Sequence, residues 1–538
     1  MSERTPGRHG DESTAGTMGG RASGRAGDLS APAAACDAAW ALFAGSIRAR
    51  LVAGLPPEDG HAALSAIIAG LSARGVRDEV LAVASRESAL HIDELAPEFD
   101  RMVSTLAMFA ELARGGSWCR PAISRAADLP VVGPPHDVRA MLVPLGPVVV
   151  FGASNFPLAY GTLGGDTASA LCAGCPVIIK EHPAQPRTGR LLARLARAAF
   201  IDAGLPADML QYVPNEDERD LGVARELVRH PRVAAIGFTG SRSGGLALDA
   251  LARERPDGPI PVFAEMGSRN VVVVCPNAAR SRGDAIGQEL ARSLLLRWGQ
   301  QCTCMGVLLV LGGEEDFERI AAPIRAAITD AEPRRMLSRR VHETYLARME
   351  ELRRLGERMG GHLDFTITPK ATATTTPAAI IRIDPDTLAT GGPAVFDEVF
   401  GPLTLAAHIP ADMPGRDAER VITDLRRVLR GEPEIHAPGL LVASLYADAD
   451  DLAAGGVGVP AARELAGIAG RVAFNSPPTG VRVAPGMVHS GPFPATNAPA
   501  STAVGPRAVE RWCRAICLQN TPENLLPPVL RGSPRADS

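Results

Sequence analysis

Ile236-Gly237-Phe238-Thr239-Gly240-Ser241, continuing into Arg242-Ser243-Gly244-Gly245-Leu246, reads as a strand that runs through a small-residue turn into a helix. Such a turn presents backbone N–H groups and the positive end of a helix to an anion such as a pyrophosphate. Its bland alternative is an ordinary strand-turn-helix connection. Upstream, Val177-Ile178-Ile179-Lys180-Glu181-His182-Pro183 is a second apolar strand, whose alternation puts Lys180 and His182 on one side and Glu181 on the other. A lysine at the carboxyl end of a strand stands where open α/β sheets bind ligands. Outward from these two stretches the pattern repeats. A strand is expected at 141–151, a small-residue helix at 163–173, and strands at 212–213, 234–238 and 262–274, with helices between them. This alternation predicts an α/β fold with a doubly wound, mostly parallel sheet. A buried helix at 286–296 leads into a second α/β series over 307–473, and a β-like tail at 481–519 contains a helix at 508–516. Ahead of the first strand, Trp40, Phe43, Ile47 and Leu51 fall at helical spacing; helices are expected at 37–54, 61–73, 77–90 and 98–114.

Bulk properties narrow the function classes. The chain has 538 residues, 46% of them hydrophobic, enough for two or three cores. A net charge of -4 gives no reason to expect nucleic acid or an anionic membrane as partner. The longest apolar runs are too short to span a bilayer, and no secretory signal is expected. Nine scattered cysteines do not form a disulfide framework and point to a reducing cytoplasm. Residues 1–30, rich in Gly, Ser, Thr and Arg, read as a disordered extension, and 529–538 read the same way. The Gly-x-Gly-x-x-Gly dinucleotide fingerprint is absent after the early strands.

Chemistry concentrates in Trp298-Gly299-Gln300-Gln301-Cys302-Thr303, taken with Phe263-Ala264-Glu265-Met266-Gly267. A cysteine after a glycine turn and a carboxylate from a separate apolar strand suggest a thiol nucleophile with a base, the pair that covalent aldehyde chemistry needs. The plain alternative is a small buried hydrophobe and a surface glutamate. Cys172-Ala173-Gly174-Cys175 has the spacing of a redox or zinc knuckle, but lacks a second pair and reads as structural; no metal is expected. Cys304 either packs inertly or forms a reversible disulfide with the nucleophile under oxidation. Cys513 and Cys517 are expected one turn apart on the C-terminal helix.

Ser154-Asn155-Phe156-Pro157, Lys180, Phe238-Thr239-Gly240-Ser241, Glu265-Met266-Gly267, Gly299-Gln300-x-Cys302 and Glu398-Val399-Phe400-Gly401-Pro402 occur together, in order. The chain thereby resembles the aldehyde dehydrogenase superfamily over about residues 37–528. Phe151-Gly152-Ala153-Ser154-Asn155-Phe156-Pro157, Gly164 to Leu171, Pro478-Thr479-Gly480-Val481 and His489-Ser490-Gly491-Pro492-Phe493-Pro494-Ala495-Thr496 are similar to the α-ketoglutaric semialdehyde (2,5-dioxovalerate) dehydrogenases. NADP-dependent fatty aldehyde dehydrogenases share much of this pattern.

The resemblance implies roles. Cys302 attacks the aldehyde, Asn155 holds the oxyanion with the Cys302 backbone N–H, and Glu265 activates the hydrolytic water. Glu398 and Phe400 hold the nicotinamide riboside; Ala153, Ser154, Thr239, Gly240, Ser241 and Gly244 surround the remaining cofactor, with Lys180 at the adenine ribose. Pro183 stands where NAD-preferring members often carry a glutamate, so NADP is favoured, with NAD possible, and Lys180 with His182 is placed to meet a 2′-phosphate. Glu181 departs from the small residue usual there and, turned inward, would weaken that preference. Phe156, Tyr160, Gln301 and Arg482 are tunnel candidates. Thr303-Cys304-Met305-Gly306 lacks the proline common in the subfamily, which leaves the tunnel shape open.

The implied architecture is a cofactor domain over 31–290, interrupted by bridging strands at about 123–145, a catalytic domain over 291–475, and a return to the cofactor domain and bridging element over 476–528. A homodimer or homotetramer is implied. The leading activity is NADP-linked oxidation of 2-oxoglutarate semialdehyde; the alternatives are oxidation of long-chain or other apolar aldehydes, a thiol acyl transferase or esterase, and a non-catalytic scaffold.

Overall fold

The computed structural model describes residues 31–53, 59–126, 133–134, 136–215, 221–358, 363–411, 417–431 and 439–531. The disordered extension expected over 1–30 lies outside the described residues. Among the described residues no helix is long and apolar enough to cross a membrane.

Short β-branched runs form strands buried on both faces, as a parallel sheet covered by helices requires. Val148–Phe151, Val271–Val274 and Val307–Leu311 are buried along their whole length. The first sheet is entirely parallel, with spatial order Leu210–Val213, Val177–Lys180, Val148–Phe151, Ala235–Thr239, Val262–Glu265. The chain winds from Val148–Phe151 to one edge, then resumes at Ala235–Thr239 on the other side. The carboxyl ends of these two strands flank the point where winding reverses, and a crevice opens there. Helices near the N-terminus cover the sheet: Leu64, Leu95, Phe99, Met102 and Leu106 pack in one core with Val148, Val177 and Leu191.

The second sheet has seven strands in the order Asp364–Ile367, Ala379–Arg382, Leu403–Ile409, Val307–Leu311, Val271–Val274, Ala443–Tyr446, Val472–Phe474. Only the outermost strand, Asp364–Ile367, runs antiparallel. A third, antiparallel sheet joins Ala122–Ser124, Val138–Pro144 and Cys513–Gln519.

Several expectations change. The strand expected over 141–151 is two strands in different sheets, separated around Pro147, which has no N–H to donate. Val271–Val274 pairs with Val307–Leu311, so the second unit begins before Val271 and includes helix Pro276–Leu295, rather than starting at 291. The helix expected over 508–516 is a 3-10 turn, Pro506–Trp512, followed by strand Cys513–Gln519. Cys513 and Cys517 therefore share a strand face and not a helix face. Within the disordered end expected over 529–538, Leu530 is buried and its carbonyl accepts from Arg139 Nη1.

One buried ion pair ties helix Ile92–Gly115 to the segment after helix Pro276–Leu295. Arg297 Nη2 meets Glu98 Oε2 at 2.6 Å, with both side chains almost fully buried. Arg297 also donates to the Asn155 carbonyl at 2.8 Å and the Glu94 carbonyl at 2.7 Å, and lies over the Phe156 ring. Glu98 Oε1 accepts from the Leu158 and Ala159 N–H groups. Arg297→Met leaves Glu98 charged and buried without its cation, which costs about 3–5 kcal/mol. A markedly lower calorimetric unfolding midpoint is the expected outcome.

Candidate active site

The crevice at the winding reversal is a cleft of about 840 Å³ lined by both large sheets' connections. From the strand Val148–Phe151 it receives Ala153, Ser154, Asn155, Phe156 and Tyr160; from Val177–Lys180 it receives Lys180, His182 and Pro183. The turn after Ala235–Thr239 contributes Thr239, Gly240, Ser241 and Gly244. Glu265, Met266 and Gly267 arrive from the edge strand, and Cys302, Glu398, Phe400 and His489 close the inner end. Thus every cofactor and catalytic candidate from the sequence lines this one cleft.

Cys302 sits on a strained loop. Arg297, Trp298 and Gly299 adopt φ of 52°, 55° and 65°, three consecutive left-handed residues. For the two non-glycines this costs on the order of 1–3 kcal/mol each. Gly299 also admits no side chain: a Cβ there would lie 2.4 Å from the Gly401 carbonyl carbon. The turn is held by Trp298 Nε1, which donates to the Thr376 carbonyl, and by Gln300 Oε1, which accepts from Leu337 N–H. Asn270 clamps the far side, its Nδ2 donating to the carbonyls of Cys302 and Cys304, both at 2.8 Å. Cys302 is half-buried, and burial with nearby Glu398 and Glu265 pushes its thiol up to about 12. Its Sγ lies 3.6 Å from His489 Nε2.

Glu265 is 6% exposed, and among the described residues neither carboxylate oxygen has a hydrogen-bond partner. Burial raises it to about 8; Arg511 pulls against that shift and Asp166 adds to it. Glu398 is likewise raised to about 7 by burial, opposed by a backbone hydrogen bond from Ser268. Glu398 approaches Gly267 so closely that a Cβ there would sit 1.8 Å from Oε2. Asn155 Nδ2 donates to the Gln300 carbonyl at 3.2 Å, beside the nucleophile loop. Ser241 caps helix Arg242–Arg253, its Oγ accepting from Gly244 N–H.

Residues 25–331, more than half of the 538-residue chain, match the model of the aldehyde dehydrogenase family. The chain belongs to this family. It is 39% identical over 475 residues to alpha-ketoglutaric semialdehyde dehydrogenase 2 of Azospirillum brasilense, covering 85% of this chain and 83% of that protein. It is 36% identical over 457 residues to the alpha-ketoglutaric semialdehyde dehydrogenase of Acinetobacter baylyi, covering 84% and 81%. Among solved structures, aldehyde dehydrogenase 21 from Physcomitrella patens superposes with a TM-score of 0.69 at 19% identity over 90% of this chain and 89% of that one. A 1-pyrroline-5-carboxylate dehydrogenase from Thermus, solved with bound NAD, gives 0.69 at 19% over 91% and 85%. At that identity the likeness shows the fold alone. The protein is an NAD(P)-linked oxidoreductase of the aldehyde dehydrogenase type, and the cleft suits the cofactor: a helix N-terminus, a glycine-lined turn and the Glu398 carboxylate converge in it.

Several candidates behave differently from their sequence-based reading. Gln301 turns its amide to the Leu296 carbonyl and is not among the cleft-lining residues. Arg482 is exposed and does not line the cleft either. Glu181 borders the cleft, but its carboxylate is engaged: Arg190 holds it at 2.6 and 3.0 Å, and Asn215 N–H donates to it. His182 accepts from Ala184 N–H, and burial together with Lys180 lowers it to about 4, so it is neutral at pH 7. It offers a phosphate no positive charge of its own. Cys172 and Cys175 are buried free thiols, and among the described residues no group of three His, Cys, Asp or Glu side chains is arranged for a metal. The Cys304 thiol is directed at the Gly401 carbonyl, 3.7 Å away.

Two residues were missed. His489 opens the stretch 489–496, which implies no role for it, and its conjunction with a cysteine 187 positions earlier is visible only in three dimensions. Asn270, three residues after Gly267, carried no motif signal. Asn270→Ala strips the amide donor from two loop carbonyls, a loss of about 1–3 kcal/mol each where they are buried. The expected outcome is a lower unfolding midpoint with faster amide hydrogen exchange at 300–305.

Proposed function

We propose that this aldehyde dehydrogenase oxidises 2-oxoglutarate semialdehyde to 2-oxoglutarate, with NADP as the preferred cofactor. The observation that carries the substrate reading is the match, over more than 80% of both chains, to two proteins named for that activity. A positive inner end supports it. Arg101 Nη2 donates to the Tyr160 hydroxyl at 2.7 Å, and both Arg101 and Arg471 act electrostatically on Cys302 and His489. A carboxylate-bearing aldehyde is drawn toward such a site. Lys180 in the cleft, Arg225 exposed at its rim, Pro183, and the withdrawal of Glu181 onto Arg190 support NADP over NAD. The nine free thiols suit a reducing cytoplasm, and the edge strand Cys513–Gln519 suits pairing with a second copy in a homo-oligomer.

Each step follows from the residues in the cleft. The Cys302 sulfur adds to the aldehyde carbon, and the Asn155 amide with the Cys302 N–H holds the developing oxyanion. Each such donor is worth roughly 2.7–4 kcal/mol in the transition state. Glu398 and Phe400 would hold the nicotinamide riboside, the turn at Thr239, Gly240, Ser241 and Gly244 the pyrophosphate, and Lys180 the adenosine end. The cofactor, when bound, supplies the hydride acceptor that turns the thiohemiacetal into a thioester. Glu265 then takes a proton from water as it attacks. Its unpaired oxygens and elevated proton affinity suit a base that works near neutrality.

Only ionised Glu265 can act as that base. Thioester hydrolysis is therefore expected to rise with pH through about 8 and then level off. Deacylation kinetics across pH 6 to 10 check this, and Glu265→Gln should remove the rise and slow the step by about 10²–10⁴. In competition with NADP present, the charged semialdehyde should show a higher kcat/KM than hexanal or decanal; the reverse order would favour the apolar-aldehyde reading.

A further inference from the structure

We propose that His489 is the proton acceptor of the Cys302 nucleophile, a Cys–His pair built into the inner end of the cleft. The inference rests on Cys302 being the attacking thiol, and it holds whichever aldehyde the enzyme takes. Sγ and Nε2 are 3.6 Å apart, within reach of a sulfur hydrogen bond. The imidazole is held in place from several sides. It lies parallel to the Tyr160 ring, with centroids 6.2 Å apart and planes 10° apart. Tyr160 is itself fixed by Arg101 at its hydroxyl and by the edge of Phe156. The His489 backbone N–H donates to Thr502 Oγ1 at 3.0 Å, which fixes the main chain that carries the ring. A buried histidine, stacked and aimed at the nucleophile, is arranged for proton transfer more than for packing.

Electrostatics set the resting state of the pair. Cys302, Arg101 and Arg471 are the charged or titratable groups that face His489 along with Tyr160, while Glu265 and Glu398 act on the thiol. Burial, then Arg471 and Arg101, lower the imidazole to about 3, while burial raises the thiol to about 12. The pair therefore rests as neutral thiol and neutral imidazole, not as an ion pair. Sγ–H donates to Nε2. When an aldehyde is seated, the S–H bond breaks, its proton passes to Nε2 and the sulfur pair forms the S–C bond. The carbonyl π pair moves to oxygen. Imidazolium and oxyanion appear together, so no isolated charge is created in the buried site. Once the oxyanion has collapsed to the thioester, the imidazolium releases its proton to solvent, and the thiolate freed by hydrolysis is protonated from water. Glu265 is thereby left for water alone.

Iodoacetamide alkylation of the full-length enzyme without substrate tests this, with Cys302 followed by peptide mass spectrometry and the exposed Cys517 as internal reference. His489→Phe keeps an aromatic ring over Tyr160 and removes the acceptor. At pH 7 its Cys302 rate should fall tenfold or more, and the gap should close toward pH 10, where hydroxide takes the proton. His489→Gln, which can hold a hydrogen bond but is not basic, should behave the same way and serves if the phenylalanine variant does not fold. An unchanged rate at pH 7, or an equal slowing at pH 7 and pH 10, overturns the proposal. Failure of the semialdehyde preference leaves this readout untouched, so the two are told apart.

Discussion

The Arg297–Glu98 pair is the joint on which the cleft depends. One guanidinium reaches the helix Ile92–Gly115, the Asn155 carbonyl and the Phe156 ring. Its own backbone begins the left-handed turn that delivers Cys302. The carboxylate opposite it orients Leu158 and Ala159, which follow Asn155 in the chain. Asn155 and Cys302 thus come from the connections of two sheets but are referenced to one buried ion pair. Such a pair contributes little net stability by itself, yet removing one partner is expensive, so it acts as a positional constraint. Fixing these loops matters because misplacement of reacting groups by about 1 Å can cost 10²-fold in rate.

Around that joint, burial does most of the electrostatic tuning. It raises Glu265, Glu398 and Cys302 and lowers His182 and His489, always toward the neutral form. At neutral pH these shifts keep the Cys302 thiol and the His489 imidazole uncharged. At the opposite end of the cleft, Arg190 neutralises Glu181, and Lys180 and Arg225 add positive charge. The cleft therefore grades from a cationic end at Lys180 and Arg225 to neutral groups around Cys302 and His489, with Arg101 and Arg471 acting on them.

Much of this was legible in one dimension. The strand Val177–Lys180 and the strand-turn-helix at 236–246 are local features, set by β-branched runs and a small-residue turn, and they read directly. The candidate catalytic and cofactor residues are legible because each lies in a short segment with its own local pattern. The run 141–151 reads as one strand although it holds parts of two, because a continuous apolar run does not show where one sheet ends and the next begins. The tail at 508–516 reads as a helix because Val509, Trp512 and Ile516 fit helical spacing as well as they fit a turn and a strand.

The sequence by itself determined the chemistry available: a thiol, two carboxylates, an amide donor and an anion-binding turn, each carried by local backbone preference and side-chain type. Tertiary structure alone decided which groups meet. It kept Gln301 and Arg482 out of the cleft lining, tied Glu181 to Arg190, and brought His489 to Cys302 across 187 residues. The reason is physical: hydrogen-bond partners, burial and charge neutralisation are properties of space, and pairing at long separation leaves no periodic trace along the chain.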